Sequence, residues 1–287
     1  MMKYSNNLVF LFILLLAPLH SCTERIEISL DDSAVRLVVE GSLTTDTMSH
    51  KILLSSTSGY FYNQPPQPVS GATVTISDGE NILNLTEVTQ GVYQTAPSVH
   101  GIEGKTYTLN IKLNKQVGGF SDYTASSKLY PVATLDSINL LYHPDWSSAG
   151  IWEVKCFVQD PPSADFYRFL ISRNDTMITD TLDEWFVTDD RFFNGNYLNG
   201  ITVGYLDQSI KEQRLIPGDS MLVEMNNTGE GYANFLWESQ SEIIGSYPLF
   251  TGPPANIKGN INNGAIGFFA AYAASRAKAN VPVSMSD

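Results

Sequence analysis

Two cysteines, four dispersed histidines and one unusual leader set the limits of the chemistry open to this chain. Cys22 follows Lys3, an apolar run from Leu8 to Ala17, then Pro18 and Leu19-His20-Ser21. A positive start, an apolar stretch of about ten residues and a small residue before the cut describe a secretory signal peptide. A membrane-spanning helix needs about 20 apolar residues, and this run ends well short of that at Pro18. The thiol at the cut is open to acylation, and so is the amino group that cleavage frees beside it. The other cysteine, Cys156, sits in Trp152-Glu153-Val154-Lys155-Cys156-Phe157-Val158. There Trp152, Val154, Cys156 and Val158 alternate onto one face of a strand, so Cys156 is expected as a small buried hydrophobe. With Cys22 lipidated it has no disulfide partner.

Metal chemistry finds little support. His50, His100 and His143 are far apart, and no H-x-H, H-E-x-x-H or C-x-x-C spacing occurs. Asp189, Asp190 and Asn194 gather oxygen ligands near Gly195, which makes them weak calcium candidates. The ordered D-x-D-x-D-G spacing is missing, and Arg191 lies inside the group, so a hairpin turn with a solvated charge pair is the competing reading. No G-x-S-x-G elbow is present. Ser275-Arg276-Ala277-Lys278 fits S-x-x-K without the motifs that accompany it in hydrolases. No catalytic residue, no cofactor and no enzymatic activity are therefore expected.

Aromatic residues are the better candidates for ligand or partner contacts. Tyr60, Phe61 and Tyr62 are consecutive and precede a proline-rich stretch. Strand side chains alternate, so three in a row cannot all face one core. A second group is Trp185, Phe186, Phe192, Phe193 and Tyr197, near Asp183, Glu184, Asp189 and Asp190. Exposed rings of this kind suit recognition; the alternative is an aromatic hairpin packed on its own domain.

The elements that must position these residues read as β. Val35 to Glu40 is a strand stopped by Gly41, followed by Lys51 to Ser55, Ala72 to Ser77, Ile82 to Val88, Val92 to Thr95 and Tyr107 to Leu113. Short alternating runs between turn signals imply a β-sandwich. Tyr130-Pro131-Val132 reads as a linker. Strands then continue at Ser137 to Tyr142, Trp152 to Val158, Phe166 to Ser172 and Ser220 to Glu224. Tyr232, Phe235, Leu236, Ser239 and Ile243 mark one face of a helix. Ala265 to Tyr272 suits a strand, and its alanine-rich continuation to Ala279 suits a short helix or a frayed tail. The expected organisation is a signal peptide at 1–21, a lipidated tether at 22–33, a β-sandwich domain at 34–129 and a second β-rich domain at 130–287 with one or two short helices.

The formal net charge is −13, and loss of Lys3 with the leader makes the mature chain one unit more negative. That disfavours nucleic acid, whose phosphates need clustered Lys and Arg. With 43% hydrophobic residues, a core that folds without disulfides is expected.

Several landmarks carry resemblances. Leu19 to Cys22 resembles a bacterial lipobox, and Glu24, Glu27, Asp31 and Asp32 resemble the acidic surface-export signal of Bacteroidetes lipoproteins. Pro68 to Val74 looks like the P-x-x-G-A-x-V start of carboxypeptidase-regulatory-like, transthyretin-like modules, although an immunoglobulin-like sandwich fits the pattern equally. Leu37 to Gly41, Gly91-Val92-Tyr93, Asp136-Ser137-Ile138, Asp160-Pro161 with Phe166-Tyr167-Arg168, Pro217-Gly218-Asp219 and Gly264 to Phe269 stand in an order similar to that of the Bacteroidetes lipoproteins grouped as domain of unknown function 4249. The chain departs from that pattern in the long spacer from Asn196 to Leu215. The resemblance implies a lipid-anchored outer-membrane protein, on the cell surface, that assists a TonB-dependent barrel in nutrient uptake. It brings no catalytic residues. A structural or adhesive, fimbria-like protein is the second reading and a secreted hydrolase the third.

Cys22 gives the first test. Bacteria expressing the wild-type chain and fed an alkyne-tagged fatty acid should label it, and it should sediment with membranes. Cys22→Ala should be unlabelled and leave the membrane fraction; a labelled variant would refute lipidation at this residue.

Overall fold

Alternating apolar side chains become strands wherever one face can be buried, and nearly all of this chain follows that rule. The computed structural model describes residues 35–57, 65–245 and 257–283; Cys22, Tyr60, Phe61 and Tyr62 lie outside them. The first half holds β1 (Leu37–Thr44), β2 (Lys51–Ser56), β3 (Gln67–Pro68), β4 (Thr73–Ser77), β5 (Ile82–Asn84), β6 (Thr86–Thr89), β7 (Val92–Gln94), β8 (Thr106–Val117) and β9 (Phe120–Lys128). Next come β10 (Leu135–His143), β11 (Ile151–Gln159), β12 (Phe166–Arg173), β13 (Thr176–Met177), β14 (Phe186–Asp189), β15 (Tyr197–Asp207) and β16 (Ser220–Asn227). Helix α1 (Gly229–Gly245) and β17 (Ile266–Asn280) follow. The protein is mainly β. No helix among the described residues is long and apolar enough to cross a membrane.

Three sheets enclose two cores. The largest runs β13-β12-β16-β17-β1-β2-β7-β6, with β14 also on β12 and β3 on β2. A four-stranded sheet, β5-β4-β8-β9, faces one end of it across Leu37, Val39, Ile52, Leu54, Val74, Ile76, Leu109, Ile111 and Phe269. A three-stranded sheet, β10-β11-β15, faces the other end across Leu140, Trp152, Val154, Cys156, Phe169, Ile171, Val223 and Met225. Cys156 is fully buried, as its strand pattern predicts, and burial pushes its thiol pKa up to about 12. Residues 34–287 cluster as one compact unit. The chain passes from the first core to the second at Tyr130-Pro131-Val132, and Val132 packs against both.

β17 joins the two halves of the large sheet. Its first half pairs parallel with β1, from Val38 opposite Ile266 to Thr44 opposite Tyr272. Its second half pairs antiparallel with β16, from Asn227 opposite Ala273 to Ser220 opposite Asn280. The alanine-rich continuation is therefore strand, not helix or tail. Alanine has the highest helix propensity, but pairing with β16 along its whole length holds this segment extended. Phe269, Ala271 and Ala273 face the first core, while Ala277 and Ala279 pack on the second. Glycines fit the crossing closely. Gly41 lies within β1 instead of ending it, because a Cβ there would stand 2.6 Å from the Lys51 carbonyl oxygen on β2. Gly267, at φ +101°, would put a Cβ 2.0 Å from the Val39 carbonyl oxygen on β1.

The expected strand from Ile82 to Val88 divides at Leu85. β5 pairs with β4 in the small sheet, and β6 pairs with β7 in the large one. Leu85 donates its N–H to the Val74 carbonyl at 3.0 Å as the chain crosses over. Alternation alone carries no mark of such a change of sheet.

α1 covers the face of the large sheet turned away from the cores. Gly229, Ala233, Leu236 and Ser239 are its buried positions, and Tyr232 and Phe235 are half-buried. Ile243, read as part of the buried face, is exposed near the carboxyl end. Ser239 satisfies its hydroxyl within the helix, donating to the Phe235 carbonyl at 2.7 Å. Beneath the helix lies Arg168 of β12, 3% exposed. Its guanidinium lies 4.6 Å from the Trp185 ring, 4.7 Å from Tyr272 and 5.7 Å from Tyr232, a cation–π setting that suits arginine. It donates twice to Asn226 Oδ1, at 3.0 and 2.7 Å. Asn226 Nδ2 donates to Glu224, Arg276 binds Glu224, and Arg276 also binds Asp46 through two nitrogens. The buried charge is thus linked through an amide to a carboxylate two residues along β16.

Gly267→Ala should lower the unfolding free energy by about 3 kcal/mol or more, from the strained φ and the clash with β1. Gly231→Ala places its Cβ 3.8 Å from Phe268 Cζ inside α1, and should raise stability by up to about 1 kcal/mol. Urea unfolding followed by circular dichroism checks both signs.

Candidate functional site

The second aromatic group is divided by the fold. Trp185 covers Arg168 and donates its indole N–H to the Thr179 carbonyl at 3.0 Å. Phe186 in β14 packs on the second core, 5.9 Å from the Phe169 ring, and Phe193 packs on the same core. Phe192 and Tyr197 are at the surface, 92% and 50% exposed. Three of the five rings thus hold the fold together, and two face solvent.

The calcium candidates also separate. Asp189 pairs with Arg191, whose guanidinium holds the Asp189 carboxyl below its usual range. Asn194 donates its backbone N–H to the Asp190 carbonyl, and its own carbonyl accepts from Asn196. Only Asp190 turns inward. There it meets Asp160 and Asp165, all three buried, with one carboxylate oxygen from each within 4.8 Å of the others. Asp160 accepts from the Tyr167 hydroxyl at 2.7 Å and the Gly195 N–H at 2.9 Å. Asp165 accepts from Ser163 and Asn227, each at 2.7 Å, and Asp190 accepts from the Asp165 N–H at 2.9 Å. These bonds tie the 160–165 turn, the 190–196 loop and the end of β16 into one knot. Converging oxygens are what a hard cation takes, but here each carboxylate already has protein donors. Sequence reading of Asp160-Pro161-Pro162 and Asp189-Asp190 as separate turns could not show that they meet.

The three-stranded sheet carries a further set of residues that sequence reasoning missed. Its inner side chains build the second core and its outer side chains form a continuous face. In register across β10, β11 and β15 lie Leu141, Glu153 and Tyr205; next Asn139, Lys155 and Thr202; next Ser137, Phe157 and Asn199. Tyr197 stands opposite Gln159 at the far end, roughly 25 Å from Tyr205 at the usual strand rise. At the near end the hairpin between β10 and β11 brings Trp146 over His143, with ring centroids 3.7 Å apart and planes 6° from parallel. Tyr205 is 5.9 Å from Trp146 at 54°. Trp146 and Tyr205 are each 54% exposed.

The hairpin that presents Trp146 is pinned from below. Tyr142 donates its hydroxyl to the Ala149 carbonyl at 2.9 Å, and Ser147 donates to the Gly150 carbonyl and to Asp207. Glu153, 6% exposed, holds His143: its Oε2 lies 2.9 Å from His143 Nε2, and its Oε1 accepts from Thr202 and lies 3.4 Å from Lys155 Nζ. Burial alone would raise the Glu153 pKa; the bonds from Thr202 and His143 and the Lys155 charge outweigh it and leave the carboxyl below its ordinary value. The signal available in sequence was an aromatic on the polar side of an alternating strand, at Tyr205, and a tryptophan in a turn.

Asp160 gives a pH test. Burial raises its pKa, the Tyr167 and Gly195 bonds oppose this, and repulsion from Asp190 and Asp165 adds to the rise. A carboxyl raised in the folded state contributes stability that is complete below its unfolded value and is lost as pH climbs through the folded one. Asp190→Asn removes one repelling charge, so Asp160 should titrate lower and this loss should shrink. Urea midpoints of both proteins from about pH 3 to about pH 7 measure the difference; parallel curves would mean the two carboxyls are uncoupled.

No curated protein matches the chain. Among solved structures it is similar to a chain of a cytokine receptor complex (crystal form 1A), 12% identical, covering 69% of this chain and 85% of that one. The TM-score of 0.22 is too low to transfer a fold. A sequence model described as Domain of unknown function (DUF4249) matches residues 23–278, most of the chain, and the chain belongs to that family.

Proposed function

We propose that this protein is a non-enzymatic, lipid-anchored component of the Bacteroidetes outer membrane that recognises a ligand or partner at the cell surface beside a TonB-dependent barrel. The observation that carries recognition is the outer face of β10-β11-β15, where the Trp146 and Tyr205 rings stand in solvent on a hairpin and strand fixed by the Tyr142 and Ser147 hydrogen bonds. Exposed rings on a rigid support suit binding better than mobile ones, because little freedom is lost on contact.

The address rests on Cys22 and the leader before it. In this reading the acylated cysteine holds the protein in the outer leaflet, since two or more acyl chains anchor firmly where one does not. The first core and its two facing sheets form an immunoglobulin- or transthyretin-like sandwich, and the recognition face belongs to the second core. Confining both partners to one membrane plane raises their effective concentration, so a weak interface suffices.

Affinity purification of the tagged wild-type lipoprotein from native outer membranes, in cells grown on several nutrients, tests the role. A TonB-dependent barrel should be recovered. Recovery of no barrel under any growth condition would overturn the transport assignment.

A further inference from the structure

We infer that the corner formed by Trp146, His143 and Tyr205 is a binding site for a neutral saccharide. The inference rests on the reading of this face as a recognition surface, and it names the class of ligand.

The first argument is the ring geometry. His143 covers one face of the Trp146 indole in parallel at 3.7 Å, and Tyr205 closes an angle of 54° beside it. The result is an aromatic corner whose Trp146 and Tyr205 rings are both open to solvent, able to take a flat, weakly apolar group against them. A pyranose offers such a group in the C–H bonds of its ring face, and carries hydroxyls around the edge. The aromatic ring face, negative by its quadrupole, attracts those C–H hydrogens.

The second argument is what surrounds the rings. Lys155, Thr202, Asn139 and Asn199 occupy the next outward positions on adjacent strands, about 4.8 Å apart across the sheet. They mix donors and acceptors, which matches hydroxyls that do both. A protein partner would ask for something else. A stable interface buries about 800 Å² on each side around an apolar centre, whereas on this face Trp146, Tyr205, Leu141 and the half-buried Phe157 are interleaved with Lys155, Thr202, Asn139 and Ser137. The net charge of −13 disfavours an anionic ligand at long range, so the saccharide is uncharged. Glu153 acts as a positioning residue: it fixes the His143 ring on which Trp146 is stacked.

The test uses the full acylated lipoprotein in detergent micelles. Free neutral oligosaccharides of the gluco-, manno- and galacto- types are titrated by calorimetry, and neutral glycolipid in phosphatidylcholine vesicles is assayed by flotation. At least one saccharide should bind; a free ligand assigns the site to soluble glycan, and a vesicle-borne ligand alone assigns it to glycan on a surface. Trp146→Ala and Tyr205→Ala should each weaken binding about tenfold or more. Trp146→Phe should lose less. Phe120→Ala, an exposed ring on β9, should change nothing. Thermal unfolding of each variant checks that it is folded. No binding of any neutral saccharide, or equal binding by the folded alanine variants, overturns the inference. If saccharides fail and Trp146→Ala instead ends recovery of the barrel, the face is a partner contact and only the ligand class falls. If saccharides bind and no barrel is recovered, the transport role falls and this site stands.

Discussion

Everything in this protein depends on one strand having two partners. β17 closes the first core by lying parallel to β1 and closes the second by lying antiparallel to β16. Parallel neighbours need a long connection between them, and here that connection is most of the chain. Small side chains make the position possible: Ala271 and Ala273 are buried without pushing the facing sheet away. Both cores therefore share a single ten-stranded support, and the three-stranded sheet with its outer face is held against one end of it.

Buried charge is handled differently on the two sides of that support. On the helix side Arg168 has no carboxylate in contact; aromatic faces and Asn226 take its place, and Glu224 is reached through the amide. On the side of the second core, Asp160, Asp165 and Asp190 share backbone, hydroxyl and Asn227 amide donors with no Lys or Arg pairing among the described residues. Removing a partner from either group leaves a polar atom stranded in a poor solvent for it. Trp146 and Tyr205 take no part in either cluster; their ring contacts are with His143 and with each other.

Much of this was legible in sequence. Val74 and Ile76, or Trp152 through Val158, alternate because one face of each strand is buried, so pattern sufficed. The Ala273 to Ala279 segment defeated pattern, since intrinsic preference pointed to helix and only its pairing with β16 made it strand. The crossing at Leu85 left no trace because both strands it joins have the same period. Trp185 and Phe186 looked like surface residues by composition, but Arg168 and Phe169, distant in sequence, give them an interior. The Trp146 corner was missed for the opposite reason: His143, Trp146 and Tyr205 come together only through strand register.

The pairing of β1 with β17 also sets an order of events. Residue 38 meets residue 266, so a chain emerging from its amino end exposes the edge of β1 until β17 has appeared. Contacts that distant in sequence form slowly, and unpaired edges invite the wrong neighbours meanwhile. The native sheet can be completed only once β17 has been made, so β1 keeps one edge open while the strands between the two take shape.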